Sequence, residues 1–205
     1  MGRKGLFDLE KHFASYGAYH SNPVNILIHT VSVWPIFFTA LVLLYFTPTI
    51  CQLFNFQPQC FLARHGLFLN LGFFCALLYA VFYVCMDIKA GSLAALLCMV
   101  CWVGASWLAS YLGFSLAWKV VLAAQLFCWT GQFLGHGVFE KRAPALLDNL
   151  VQAFLMAPFF VLLEVLQTVF GYEPYQGFHA SVKLRIDAEI ADWKEKKQKM
   201  GPYFL

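Results

Sequence analysis

Two short stretches of this chain hold most of the side chains able to bind a metal or move a proton. The first, Tyr16 to His29, contains His20, Asn22, Asn25 and His29. Asn25 and His29 are four residues apart and so share a helix face. Asn22 followed by Pro23 has the form of an N-cap with proline at the first helical position. That leaves His20 just outside the helix, able to fold back over it. The second stretch, Gln132 to Arg142, places His136 and Glu140 on one face beside Gly135 and Gly137, which permit close approach of a helix or ligand. Three imidazoles and a carboxylate suit a borderline ion such as Fe(II) or Zn(II); iron would need open positions for oxygen, whereas zinc would activate a water. Ligand chemistry alone leaves that choice open. Asp148, Asn149 and Gln152 fit side chains that hold the imidazoles from behind, although helix-to-helix hydrogen bonding accounts for them nearly as well. Lys141 and Arg142 either pair with a substrate carboxylate at the rim or anchor a loop at the headgroups. A single histidine here could simply cap a helix end, but polar groups gathered near membrane depth are costly and favour a site.

The elements that must position these residues are membrane helices. Of 205 residues, 60% are hydrophobic and 12% charged, and the mean hydropathy is +0.65, more apolar than a water-soluble surface tolerates. Apolar runs at about 24 to 46, 65 to 86, 90 to 112 and 117 to 135 each approach the length of a span. In an up-and-down bundle the start of the first and the end of the fourth lie on one side, so the two stretches can meet. The expected fold is all-α: four transmembrane helices plus a fifth apolar segment, Pro144 to Tyr172, broken near Pro158 and re-entrant. Re-entry keeps the basic tail on the same side as Arg3, Lys4, Lys11, Lys141 and Arg142, as the positive-inside rule prefers. Short amphipathic helices are expected over 5 to 17, ended by Gly17, and over 179 to 199. The chain then forms one integral membrane domain: an interfacial segment over 1–23, a bundle over 24–172 and a basic cytosolic tail over 173–205.

Other features exclude more than they assign. The net charge of +3 comes largely from the lysine-rich tail and fits anionic headgroups, not nucleic acid. Seven cysteines lie mostly within apolar runs, where a thiol packs as a small hydrophobe, so neither a disulfide framework nor zinc binding by Cys98 and Cys101 is expected. The first apolar stretch begins only near Val24, so a retained N-terminus is expected. His12, His65 and His179 read as interfacial or solvated. No phosphate-binding glycine loop and no nucleophile elbow occurs.

The stretches YHSNPVNILIH and QFLGHGVFEKRAPALLDNLVQAFLMAPFFVLLEVL, in this order and separation, resemble the membrane family typified by the yeast 2-hydroxy-palmitic acid dioxygenase of phytosphingosine breakdown. The resemblance covers roughly residues 5 to 172; the second and third apolar runs match in hydrophobicity alone. It implies an endoplasmic-reticulum enzyme, with its active site and both termini cytosolic, that uses Fe(II) and O2 to shorten a long-chain 2-hydroxy fatty acid by one carbon. By position the family's motif histidines correspond to His20, His29 and His136, with Glu140 as a fourth ligand or a base beside them. Asn22, Asn25, Gln132, Lys141, Arg142, Asp148 and Asn149 would hold substrate or support the ligands. Rival readings are another metal-dependent lipid-modifying enzyme, or a membrane-shaping scaffold that uses only the hairpins and amphipathic ends.

Overall fold

The computed structural model describes residues 5–49, 52, 66–144 and 149–200, so Arg3, Lys4, Cys51, Cys60, His65 and Asp148 lie outside the described residues. Every described element is helical. A 3-10 turn, Gly5–Phe7, leads into α1, Leu9–Tyr19, which starts where the Asp8 carboxylate accepts from Lys11 N. Helix α2, Pro23–Leu44, starts as expected, with the Asn22 side chain accepting from Val24 N at 2.9 Å and Pro23 in the first turn. Then come α3, Leu71–Met86, and α4, Ile88–Leu134, which extends through a π-helical turn, Gly135–Glu140. A second π turn, Val151–Met156, runs directly into α5, Ala157–Phe170, and α6 covers Phe178–Met200.

Helix α4 is two arms joined at Gly113, whose φ of 66° and ψ of 163° break the helical path at a conformation that favours glycine. The first arm runs back along α3, with Gly91 against the Tyr83 carbonyl and Trp102 against Phe73. A Cβ on Gly91 would fall 2.0 Å from that carbonyl oxygen, so the corner after α3 requires glycine. The second arm returns along α2: Phe114 packs on Phe46, Gln125 donates to the Ile36 carbonyl, and Gly135 meets Asn25. The four expected apolar runs are therefore α2, α3 and the two arms. Pro23–Leu44, Ile88–Glu140 and Val151–Phe170 are long and apolar enough to cross a membrane, whereas α3, at 16 residues, is shorter.

The fifth segment departs from expectation at Pro158. Instead of a bend, Val151–Met156 and Ala157–Phe170 form one unbroken helical run with Pro158 in the first regular turn. Proline has no N–H to return to the Phe154 carbonyl four residues back. The hydroxyl of Tyr79 donates to that carbonyl at 3.0 Å, and Tyr83 donates to the Leu155 carbonyl at 2.9 Å. Two tyrosines of α3 thus supply the donors that the proline and the wide turn withhold, and the helix continues. The segment nevertheless begins and ends on one face of the bundle. Pro144 borders the histidine cavity, and beyond α5 the Tyr172 hydroxyl donates to Asp87 at the α3–α4 corner, beside the N-terminal elements.

Helices α1 and α6 pack together over that face. Phe178 stacks on Phe13, and Val182 is buried. Gly17 does not end α1; a Cβ there would lie 2.4 Å from Ile186 Cδ1, so its hydrogen admits α6. Glu10 accepts from Ser181 at 2.6 Å and from the Tyr175 hydroxyl, and pairs with Arg185 at 2.6 Å. These partners, the Ser181 and Tyr175 hydrogen bonds first, hold the Glu10 carboxyl below its ordinary range. A carboxyl lowered on folding contributes stability above its unfolded value and loses it as pH falls through the lowered one. Acidification below the ordinary carboxylate range should therefore loosen α6 while α2 keeps its protection, as hydrogen exchange by mass spectrometry would record. Release beginning nearer neutrality would refute the role of Glu10.

Candidate metal centre

His20, His29 and His136 converge from three different elements. His20 follows α1, His29 lies one turn inside α2 from Asn25, and His136 sits in the π turn after α4. Each offers a ring nitrogen within 4.8 Å of the others, and the ring centroids are 4.4 to 4.9 Å apart. All three are buried. A π turn is an energetically poor way to continue a helix and is found mostly where it redirects a functional side chain. Here it points His136 across to α2.

The tautomers follow from partners. His20 Nδ1 lies 2.8 Å from the Tyr16 carbonyl and His29 Nδ1 lies 3.0 Å from the Asn25 carbonyl. A carbonyl only accepts, so each Nδ1 carries the proton and each Nε2 is left with a bare lone pair. His20 Nε2 and His136 Nδ1 are buried without any hydrogen-bond partner. Two orphaned nitrogens in one pocket are costly to maintain unless something binds them. Burial, and next the neighbouring His29, push His20 well below the ordinary histidine range, so it is neutral, the form that ligates metals. Fe(II) or Zn(II) fits this donor set, with backbone carbonyls orienting two rings as carbonyls commonly do behind metal-bound imidazole.

Glu140 is placed beside this group in a different capacity. One carboxylate oxygen accepts from Ser21 N at 3.0 Å and from the Ser21 hydroxyl; the other accepts from Asn22 N at 3.0 Å and Asn25 Nδ2 at 3.2 Å. It therefore ties the end of α4 to the positive N-terminus of α2. Asn25, with no exposed surface, also donates to the Tyr19 carbonyl at 3.4 Å and packs so tightly that a Cβ on Gly135 would sit 2.4 Å from its Oδ1. Gly135 meets the expectation of close approach, whereas nothing lies within 4 Å of a Cβ on Gly137.

The remaining expected residues fall into distinct places. Gln132 is buried and lines a cavity of about 40 Å³ beside the histidines. Arg142 donates to the Ala18 carbonyl at 2.7 Å and lies 3.7 Å from the Tyr19 ring centroid and 5.1 Å from that of Trp193, clamping α1, α4 and α6 together. Lys141 is exposed, in a left-handed conformation that ends the π turn. Asn149 is exposed and accepts from Gln152 N at 3.0 Å, starting the last membrane helix. Tyr16, whose ring stacks 4.2 Å from His20, and Trp129 also line the cavity but carry no role in the sequence reading. The spacing of Tyr16 and His20, four residues, was the available signal for the former. Gln152 lines the same cavity, and its Nε2 is buried and unpartnered. Cys98 and Cys128 are buried and Cys75 and Cys101 partly so, packed among apolar helices.

Comparison with known proteins bears on this arrangement. A family model described as "2-hydroxy-palmitic acid dioxygenase Mpo1-like" matches residues 6–169, which include all three histidines. The chain is 34% identical over 165 residues to the 2-hydroxy-palmitic acid dioxygenase MPO1 of Saccharomyces cerevisiae, covering 80% of this chain and 82% of that protein. No solved structure matches. With its convergent histidines inside the matched region and the match running over most of its helices, the chain belongs to the Mpo1-like family.

Proposed function

We propose that this protein is an Fe(II)-dependent dioxygenase that shortens long-chain 2-hydroxy fatty acids by one carbon, acting in sphingoid base catabolism at the endoplasmic reticulum membrane. The observation that carries this reading is the convergence of three buried imidazoles, two of them with an orphaned ring nitrogen, beside a cavity that opens among apolar helices. His20, His29 and His136 would hold the iron, which when bound supplies the one-electron chemistry that lets O2 react with a closed-shell acid. Glu140 acts as a positioning residue, since its oxygens are engaged by α2. The Gln152 amide is suited to donate to the substrate's carboxylate or 2-hydroxyl. Arg142 is committed to its clamp, which leaves Lys141 as the cation at the rim.

One 2-hydroxy acid and one O2 balance to the acid shortened by one carbon, carbon dioxide and water, so no outside reductant is needed. Carbon 2 becomes the new carboxyl carbon, and the four electrons released reduce O2. The N-terminal segment, the 141–142 pair and α6 share one face, and their lysines and arginines favour the cytosol for it.

Zinc would fit the same ligands and support hydrolysis instead. The deciding experiment is to purify the protein without oxygen, measure bound metal, and add O2 with 2-hydroxy-palmitic acid while following the product by mass spectrometry. Iron-dependent loss of one carbon is expected. A zinc-loaded protein that consumes no O2 would replace this reading with the hydrolase, and a metal-free folded protein would point to a scaffold.

A further inference from the structure

A second, larger cavity of about 190 Å³ adjoins the histidine cavity, and the two share Trp129, Gln132 and Ala153 as common wall. One side of it is a stripe of α2: Val33, Ile36, Phe37, Ala40 and Leu41. These positions continue the helix face that carries Asn25 and His29. From His29 to Leu41 the stripe extends about 18 Å at the α-helical rise, the scale of a long acyl chain. Cys75 and Tyr79 of α3 and Phe154 and Pro158 of the last membrane helix close the other side.

The polar groups around this chamber are turned away from it by their own bonds. Gln125 Nε2 donates to the Ile36 carbonyl at 2.9 Å and to Thr39 Oγ1 at 2.8 Å, and Gln125 Oε1 accepts from Trp129 Nε1 at 2.9 Å. The Tyr79 hydroxyl is committed to Phe154. Apart from Gln132, on the wall shared with the histidine cavity, what faces the space is mostly hydrocarbon and aromatic surface, which suits an apolar ligand.

Resting on the dioxygenase reading above, we infer that this chamber holds the substrate's acyl chain: the polar head lies beside the histidines, the chain passes Trp129, and Ala40, Leu41 and Cys75 at the far end set the preferred length. Trp129, held by Gln125, is the threshold between head and tail compartments.

The test uses the purified full chain in detergent and a long-chain 2-hydroxy acid bearing a diazirine next to its terminal methyl group. Irradiation should label Phe37, Ala40, Leu41 or Cys75, and Ala40→Phe should lower the ratio of kcat/KM for 2-hydroxy-palmitic acid to that for 2-hydroxy-octanoic acid about tenfold or more. Labelling confined to outward-facing residues such as Val31 and Leu78, or an unchanged ratio in folded Ala40→Phe protein, overturns the inference. The two readings fail separately. Chamber labelling without turnover leaves the acyl site standing and removes the dioxygenase, whereas turnover with labelling elsewhere does the reverse.

Discussion

His136→Ala is expected to strip the metal and abolish turnover while leaving the bundle folded. Three imidazoles hold the proposed ion, and loss of one ligand should weaken binding beyond the roughly 100-fold upper range seen for residues that only support ligands. Folding should survive because the substitution also removes a buried nitrogen that has no partner, offsetting part of the cavity it leaves. Metal content by mass spectrometry and the thermal midpoint in detergent together check this. Normal metal content in His136→Ala protein would rule out the three-histidine centre. Collapse of the fold would instead show that His136 is a packing residue.

Glu140→Ala should give the second largest effect, and of a different kind. It removes the acceptor for Ser21 N, the Ser21 hydroxyl, Asn22 N and Asn25 Nδ2, all at the mouth of α2. Hydrogen bonds to a charged group contribute about 1.5–3 kcal/mol each when well buried. These are partly exposed and share one carboxylate, so a total loss of about 2–3 kcal/mol is expected. Metal affinity should fall roughly 10- to 100-fold as His20 and His29 lose their fixed positions. Metal loss as complete as in His136→Ala, with an unchanged midpoint, would make Glu140 a ligand instead. Full affinity and full stability would remove it from the centre altogether.

The contrast between these two residues shows what the sequence made legible. The meeting of His20, His29 and His136 could be read from Asn22 and Pro23 starting a helix, and from an even number of apolar runs returning the chain to the same side. Glu140 was harder. Four residues from His136 on an α-helix would aim both at one point, but the i to i+5 turn over Gly135–Glu140 winds less per residue and carries the carboxylate round to α2. Nothing in a linear pattern announces a π turn. For Arg142, read either as a substrate contact or as a headgroup anchor, local pattern could not show its partners Ala18, Tyr19 and Trp193, which lie far away along the chain. Gly17 read as a helix terminator for the same reason: the space it leaves is used by Ile186, far along the chain. Pro158 was taken as a break by local rules, which omit the tyrosines of α3.

Those tyrosines also constrain how the protein is assembled. Hydrocarbon has no donors, so a helix that reaches the bilayer with the Phe154 and Leu155 carbonyls bare is penalised there until protein groups arrive. Tyr79 and Tyr83, which meet those carbonyls, belong to an earlier segment of the chain. The last apolar helix is therefore a client of α3: its place in the bundle depends on that pair of hydroxyls, and so does the wall it adds to the histidine cavity.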